Sequence, residues 1–152
     1  MKLLTLIACF LYVTATFSQG TWTQKASITS TGKSYPVSFV IGSKAYIVTG
    51  NANGTYTSEF WVYDSGQDSW TKKTDFPGNP RTRAVGFTIG TKGYIGSGET
   101  NGGAKQGDWW EYDSDLDKWT QKNNLPIAGL CEGGVGFNIG SKGYIITGYD
   151  GS

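Results

Sequence analysis

One decapeptide is written three times in this chain: Ile41–Gly50 reads IGSKAYIVTG, Ile89–Gly98 reads IGTKGYIGSG and Ile139–Gly148 reads IGSKGYIITG. The echo extends well beyond it, because FWVYDSGQDSWTKK, Phe60 to Lys73, is answered by WWEYDSDLDKWTQK, Trp109 to Lys122. Tyr46 and Tyr94 are 48 residues apart, Tyr63 and Tyr112 are 49, Trp70 and Trp119 are 49, and Tyr94 and Tyr144 are 50. A chain repeating at this period is not built around one unique core. Each unit is a supersecondary structure that must bury its faces against its neighbours, so stacking sets the architecture.

The units read as strands. With 23 glycines, six Trp, nine Tyr and seven Phe, the composition favours short strands joined by tight turns, and no window holds an apolar period of 3.6. The first strand is PVSFVI, AVGFTI or GVGFNI, and the second is KAYIVTG, KGYIGSG or KGYIITG. Between them lie only Gly42-Ser43, Gly90-Thr91 or Gly140-Ser141, glycine-first loops suited to a type II′ hairpin turn. The third strand is EFWVYD or DWWEYD and the fourth SWTKK or KWTQK. Phe60 and Val62 alternate with Trp61 and Tyr63, so both faces of the third strand are apolar and both must be covered. Trp61, Trp70, Trp110 and Trp119 recur in register and are read as packing residues.

In PRTRAVGFTIGTKGYIGSG…DWWEYDSDLDKWTQKNNLP a basic start, glycines in the first strand, a tyrosine in the second, a Tyr-Asp pair and a later tryptophan follow one another in an order that resembles the kelch family of β-propellers, related to the galactose oxidase type. The resemblance implies an all-β, kelch-type β-propeller with about two and a half four-stranded antiparallel blades in this chain. Blades would span residues 36–73 and 84–122, with a partial blade over 134–152. Thr21–Lys25, TWTQK, matches a fourth strand and would close the last blade. One departure is that the glycine pair usual after the second strand is here Thr49-Gly50, Ser97-Gly98 and Thr147-Gly148. Closed propellers take about four to eight blades, or about 200 to 400 residues at this period. Closure is therefore expected to need the remaining blades of a longer propeller, of which this is the N-terminal part, or self-association.

Lys2, the apolar run Leu3–Val13 and the small residues before Gln19 read as a signal peptide over residues 1–18, cleaved between Ser18 and Gln19. Residues 19–152 would then be secreted or periplasmic. The run is shorter than the roughly 20 residues of a membrane-spanning helix, so no membrane attachment is expected once it is removed. Leu6-Ile7-Ala8-Cys9 also resembles a lipoprotein box, but the apolar run continues past Cys9. Losing Lys2 lowers the basic residues from 13 to 12, against 12 acidic ones. That balance gives no electrostatic argument for a nucleic-acid partner. Cys131 is the only cysteine left, read as a small buried hydrophobe. The chain has no histidine, which removes Ser-His-Asp and Cys-His triads and imidazole metal sites. No catalytic residue, metal or cofactor is assigned.

Antiparallel four-stranded units put the loops between strands two and three on the same face as the connections between units. That face varies, with NANGTYTS against ETNGGAKQG and TDFPGNPRTR against NNLPIAGLCEG, while the opposite face carries near-copies. Variable loops on a repeated scaffold are where binding concentrates. The candidate ligand-binding residues there are Arg81, Arg83, Glu132, Tyr35 and Glu99. Arginine offers a planar fork for carboxylates or sugar hydroxyls; the competing assignment is a solvated loop arginine or a salt bridge between units. The expected function is a protein- or glycan-binding module. The alternative, implied by the family resemblance, is a sugar epimerase of the sialic acid mutarotase type using Arg81 and Glu132 in a central cavity. Asp113–Lys118 has the spacing of a calcium loop, but Lys118 and Asn124 occupy its glycine and glutamate positions, so a polar turn is expected. Asn53-Gly54-Thr55, formally a glycosylation sequon, is read as an Asn-Gly turn.

Overall fold

A computed structural model describes residues 20–126 and 131–149. The expected signal peptide, with Cys9, lies outside the described residues. The strands are β1 Val37–Ile41, β2 Lys44–Val48, β3 Asn51–Ala52, β4 Thr55–Tyr56, β5 Phe60–Asp64, β6 Ser69–Lys72, β7 Val85–Ile89, β8 Lys92–Gly96, β9 Trp109–Asp113, β10 Lys118–Lys122, β11 Val135–Ile139 and β12 Lys142–Ile146. They form two four-stranded antiparallel sheets, β1-β2-β5-β6 and β7-β8-β9-β10, and two hairpins, β11-β12 and β3-β4. The protein is thus all-β, built from repeated antiparallel sheets. The described residues make an open stack and not a closed ring.

Local chemistry explains each turn. Ile41 faces Lys44, Ile89 faces Lys92 and Ile139 faces Lys142 across two-residue loops. In each loop the glycine takes the positive φ of a II′ turn, 58° at Gly42, 58° at Gly90 and 59° at Gly140. The β3-β4 hairpin was not anticipated as strands. Its turn was, since Asn53 (φ 52°) and Gly54 (φ 87°) both take the positive φ that a type I′ turn demands. The calcium-like segment is a turn in which Asp113 Oδ1 accepts the backbone N–H groups of Asp115 and Leu116.

The sheets stack face to face through their first strands, β1 against β7 and β8, then β7 against β11 and β12. Val37, Phe39 and Ile41 point into the first interface while Ser38 and Val40 point out, the period-two consequence of strand geometry. Phe39 stacks on Tyr46 at 5.1 Å, and Phe60 meets the edge of Tyr112 at 4.7 Å and Trp119 at 5.2 Å. Such rings each remove about 150–250 Å² from water, a few kcal/mol apiece at about 25 cal/mol per Å². Close approach depends on glycine at two places per interface: a β-carbon on Gly86 would crowd Val37 at 2.6 Å, and one on Gly136 would crowd Val85 at 2.5 Å. A β-carbon on Gly93 would overlap the Phe39 ring, and one on Gly143 would overlap Phe87. Cys131 is buried, as expected. Thr21–Lys25 is exposed and has no ladder partner among the described residues; the chain first attaches at Ala26, which donates to Asp68 at 3.0 Å and accepts from Trp70 Nε1 at 2.8 Å.

A second set of bonds stitches successive repeats together on the loop face. Arg83 N–H donates to Tyr35 C=O (3.2 Å) and Gly133 N–H to Arg83 C=O (2.9 Å), while Gly50 N–H donates to Arg81 C=O (2.9 Å) and Gly98 N–H to Cys131 C=O (2.8 Å). The replaced glycines have a cost here. Thr49, Ser97 and Thr147 all sit at φ near +60°, at 61°, 63° and 59°, a region unfavourable to branched side chains. The stitching bonds on Gly50 and Gly98 hold the first two there.

Candidate functional site

The stitched backbone fixes where four charged side chains start. Thr82 and Glu99 exchange backbone bonds of 3.0 and 3.1 Å, and Glu132 and Tyr149 exchange bonds of 3.0 and 2.9 Å. Glu99 also bridges to Lys105, in the loop between β8 and β9. Arg83 sits between Tyr35 and Gly133 in the backbone series, its own φ at 53°. Loops from three successive repeats therefore converge.

The side chains close into a ring. Arg83 Nη1 lies 3.0 Å from Glu132 and 3.5 Å from Glu99, and Lys105 Nζ lies 2.5 Å from Glu132 and 3.3 Å from Glu99. Each carboxylate thus bridges both cations, and the four charges sum to zero. Tyr56 donates its hydroxyl to Glu99 at 3.1 Å. Arg83 lies over the Tyr35 ring at 4.9 Å and Lys105 over the Tyr149 ring at 5.2 Å, distances at which ring faces attract cations. Glu132, Glu99 and Lys105 are largely buried at 7%, 13% and 15% side-chain exposure, whereas Arg83 is open at 41%. Its Nη1 alone is engaged among the described residues, so Nε and Nη2 remain available as donors.

Protonation follows from this geometry. Burial pushes the Glu132 carboxyl up, but hydrogen bonds from Lys105 and Arg83 outweigh it and hold the group below its ordinary range. Arg83 is raised by its bond to Glu132. Burial pulls Lys105 down, and its bonds to Glu132 and Glu99 more than reverse that. Tyr56 is raised by burial and by donating to Glu99. These shifts keep Glu132, Arg83 and Lys105 charged and Tyr56 neutral across the neutral range.

Two clefts flank the ring. One of about 540 Å³ is lined by Arg83, Glu132, Gly133, Thr147, Gly148 and Tyr149. The other, about 450 Å³, is lined by Tyr56, Asn79, Pro80, Thr100, Asn101 and Gly102. Among the described residues no group of three His, Cys, Asp or Glu is arranged to hold a metal ion.

Of the five residues singled out in the sequence, Arg83, Glu132, Tyr35 and Glu99 come together here. Arg81 does not. It is fully buried, bidentate to Asp108 at 2.6 and 2.8 Å, bonded to the carbonyls of Ser97 (3.1 Å) and Asn79 (3.0 Å), and it lies over Phe76 at 5.0 Å. Neither role foreseen for it, a solvated loop arginine or a salt bridge between units, is the one it occupies: its partner Asp108 lies just before β9 of the same repeat. Lys33 does the same one repeat earlier with Glu59 at 2.5 Å, and Trp61 and Trp110 donate to Glu59 and Asp108 respectively. Sequence reasoning missed Lys105, Tyr56 and Tyr149.

No protein-family model matches this sequence, and a comparison with curated proteins finds no match.

Proposed function

We propose that this protein is an exported kelch-type propeller module that binds a protein or glycan ligand through its loop face, centred on Arg83. One observation carries the reading: Arg83 is anchored at Nη1 by Glu132 and Glu99, is backed by the exposed Tyr35 ring, and is 41% exposed, with no partner at Nε or Nη2 among the described residues. A guanidinium held this way loses little side-chain freedom on binding. Its free donors suit a hydroxyl pair, a carbonyl or a single carboxylate. The neutral sum of the ring favours hydroxyl-rich or peptide ligands over polyanions. Asn79, Thr100 and Asn101, beside Tyr56 and Pro80 in the neighbouring cleft, extend the surface with amide and hydroxyl groups.

Binding is favoured over sugar isomerisation because acid–base chemistry works best with a group that changes protonation near the operating pH. Glu132 is held low, and Arg83, Lys105 and Tyr56 are held high.

The test is a glycan array and a surface-protein screen run with the purified protein and with its Arg83→Ala and Tyr35→Ala variants. The reading expects ligands that both variants lose while native circular dichroism is retained. Binding that survives Arg83→Ala, or no ligand in either screen, contradicts it.

A further inference from the structure

We propose that the cleft between the first two repeats on the loop face is a binding site for a neutral saccharide. This rests on the loop-face reading above and deepens it, by choosing the class of ligand and giving it a place beside Arg83. The cleft holds about 450 Å³, within the range of roughly 300–1,000 Å³ usual for small-molecule sites. Tyr56 comes from the β3-β4 hairpin of the first repeat, Asn79 and Pro80 from the connection, and Thr100, Asn101 and Gly102 from the loop between β8 and β9. All three walls belong to repeats whose four strands are present.

Each wall is held in place without a ligand. Arg81, fully buried against Asp108, donates from Nε to the carbonyl of Asn79 at 3.0 Å, so that ion pair fixes the connection at the cleft. Asn79 in turn donates from Nδ2 to Gln106 Oε1 at 3.2 Å. The loop between β8 and β9 is folded on itself: Thr100 N–H donates to Ala104 C=O at 3.0 Å and Gly103 N–H to Thr100 C=O at 2.8 Å. Lys105 at its base reaches both ring carboxylates. On the opposite wall Asn51 Oδ1 accepts the Gly54 N–H at 2.7 Å, and the Tyr56 hydroxyl is tied to Glu99 at 3.1 Å. Walls already ordered lose little freedom when a ligand binds.

The lining selects the ligand. None of the six residues carries a charge, and the ring behind Tyr56 sums to zero, so nothing there offsets the desolvation of an ionic group. Asn79 and Asn101 are exposed, and Asn79 Oδ1 and the Asn101 amide have no partner among the described residues. A side-chain amide both donates and accepts, as a sugar hydroxyl does. Tyr56 and Pro80 add the apolar surface that the C–H face of a pyranose requires. Peptides are held through a sheet edge, an apolar groove or an aromatic-lined polyproline groove; one aromatic ring beside three amide or hydroxyl side chains suits a sugar better. Tyr56 and Arg83 share Glu99, at 3.1 and 3.5 Å, which sets the cleft and the guanidinium side by side.

A nitrogen-15 NMR titration of the protein with millimolar glucose, galactose, mannose, N-acetylglucosamine, lactose and maltose tests this. At least one sugar should shift the side-chain amides of Asn79 and Asn101 and the N–H of Gly102 saturably, leaving Gly42 and Gly90 on the far face unmoved. Asn79→Ala and Asn101→Ala should each weaken that binding roughly tenfold, the loss of one hydrogen bond, with native circular dichroism retained. No saturable shift from any of these sugars, or affinity unchanged in both variants, overturns the proposal. So does a cleft whose groups respond to an uncharged Gly-Ser-Pro peptide and to no sugar. Arg83→Ala separates this site from the Arg83-centred reading, because it should leave monosaccharide binding unchanged. A cleft that binds sugar therefore stands even where no ligand depends on Arg83, and an Arg83-dependent ligand found while every sugar leaves the cleft unmoved sinks the saccharide site alone.

Discussion

Replacing Gly93 with alanine tests the stacking of the repeats with one methyl group. Gly93 lies on β8 facing β1, and its missing β-carbon is the space that the Phe39 ring fills. Phe39 has no easy retreat: it is 5% exposed, stacked on Tyr46 at 5.1 Å and 6.5 Å from both Phe60 and Tyr112. Overpacking a core of this kind costs about 1–3 kcal/mol. Removing a glycine from a strand returns about 0.5–1 kcal/mol. The expected net loss is about 1–2 kcal/mol, which at a urea m-value of about 1–3 kcal/mol/M lowers the midpoint by roughly 1 M. Urea unfolding followed by tryptophan fluorescence reads it directly, since Trp110 and Trp119 pack against this core. Gly102→Ala is the control, because nothing lies within 4 Å of its β-carbon. If Gly93→Ala were as stable as Gly102→Ala, the face-to-face packing of the two sheets would be wrong.

Asp108→Asn should cost about 3–5 kcal/mol, because it strands the fully buried Arg81 charge; the double change Arg81→Met with Asp108→Leu should recover most of that in the same urea assay. Acid should destabilise the fold through Glu59, whose carboxyl is lowered to about 2, chiefly by its bonds from Lys33 and Ser30. A depressed carboxylate adds stability that is full above its unfolded pKa and is lost as pH falls through the folded one. The melting temperature should therefore drop between about pH 4.5 and 2, and Glu59→Gln should flatten that part of the profile. Gly54→Ala should cost about 1 kcal/mol and loosen the β3-β4 hairpin, because φ at Gly54 is 87°; the loss is read by thermal melting.

Strands and turns were legible in the sequence because their signals are local and repeated. Alternation at Val37, Phe39 and Ile41, the glycine-first turns and Asn53-Gly54 each act within a few residues. The loop face was legible too, since antiparallel order alone puts the connections on one side. The charge ring was only half legible. Lys105 lies in ETNGGAKQG, a loop without a counterpart of the same length, so no periodic signal predicts its reach to Glu132, 27 residues away. Arg81 is separable from Arg83 by the repeat itself. Lys33 and Arg81 recur 48 residues apart, and Glu59 and Asp108 recur 49 apart. A basic and an acidic residue repeating together at the structural period mark a structural pair, whereas Arg83 has tyrosine and glycine at its repeat positions.

Amide hydrogen exchange at Arg83, Gly133, Gly50 and Gly98 tests most directly whether successive repeats are stitched into one unit that assembles the charge ring. These four N–H groups donate only across repeats, so strand formation within any single sheet leaves them unprotected. The stitched structure predicts protection at all four comparable to that of the central strand amides of Phe39 and Tyr46. Exchange at open-chain rates at these positions, with the strand amides still protected, would contradict it.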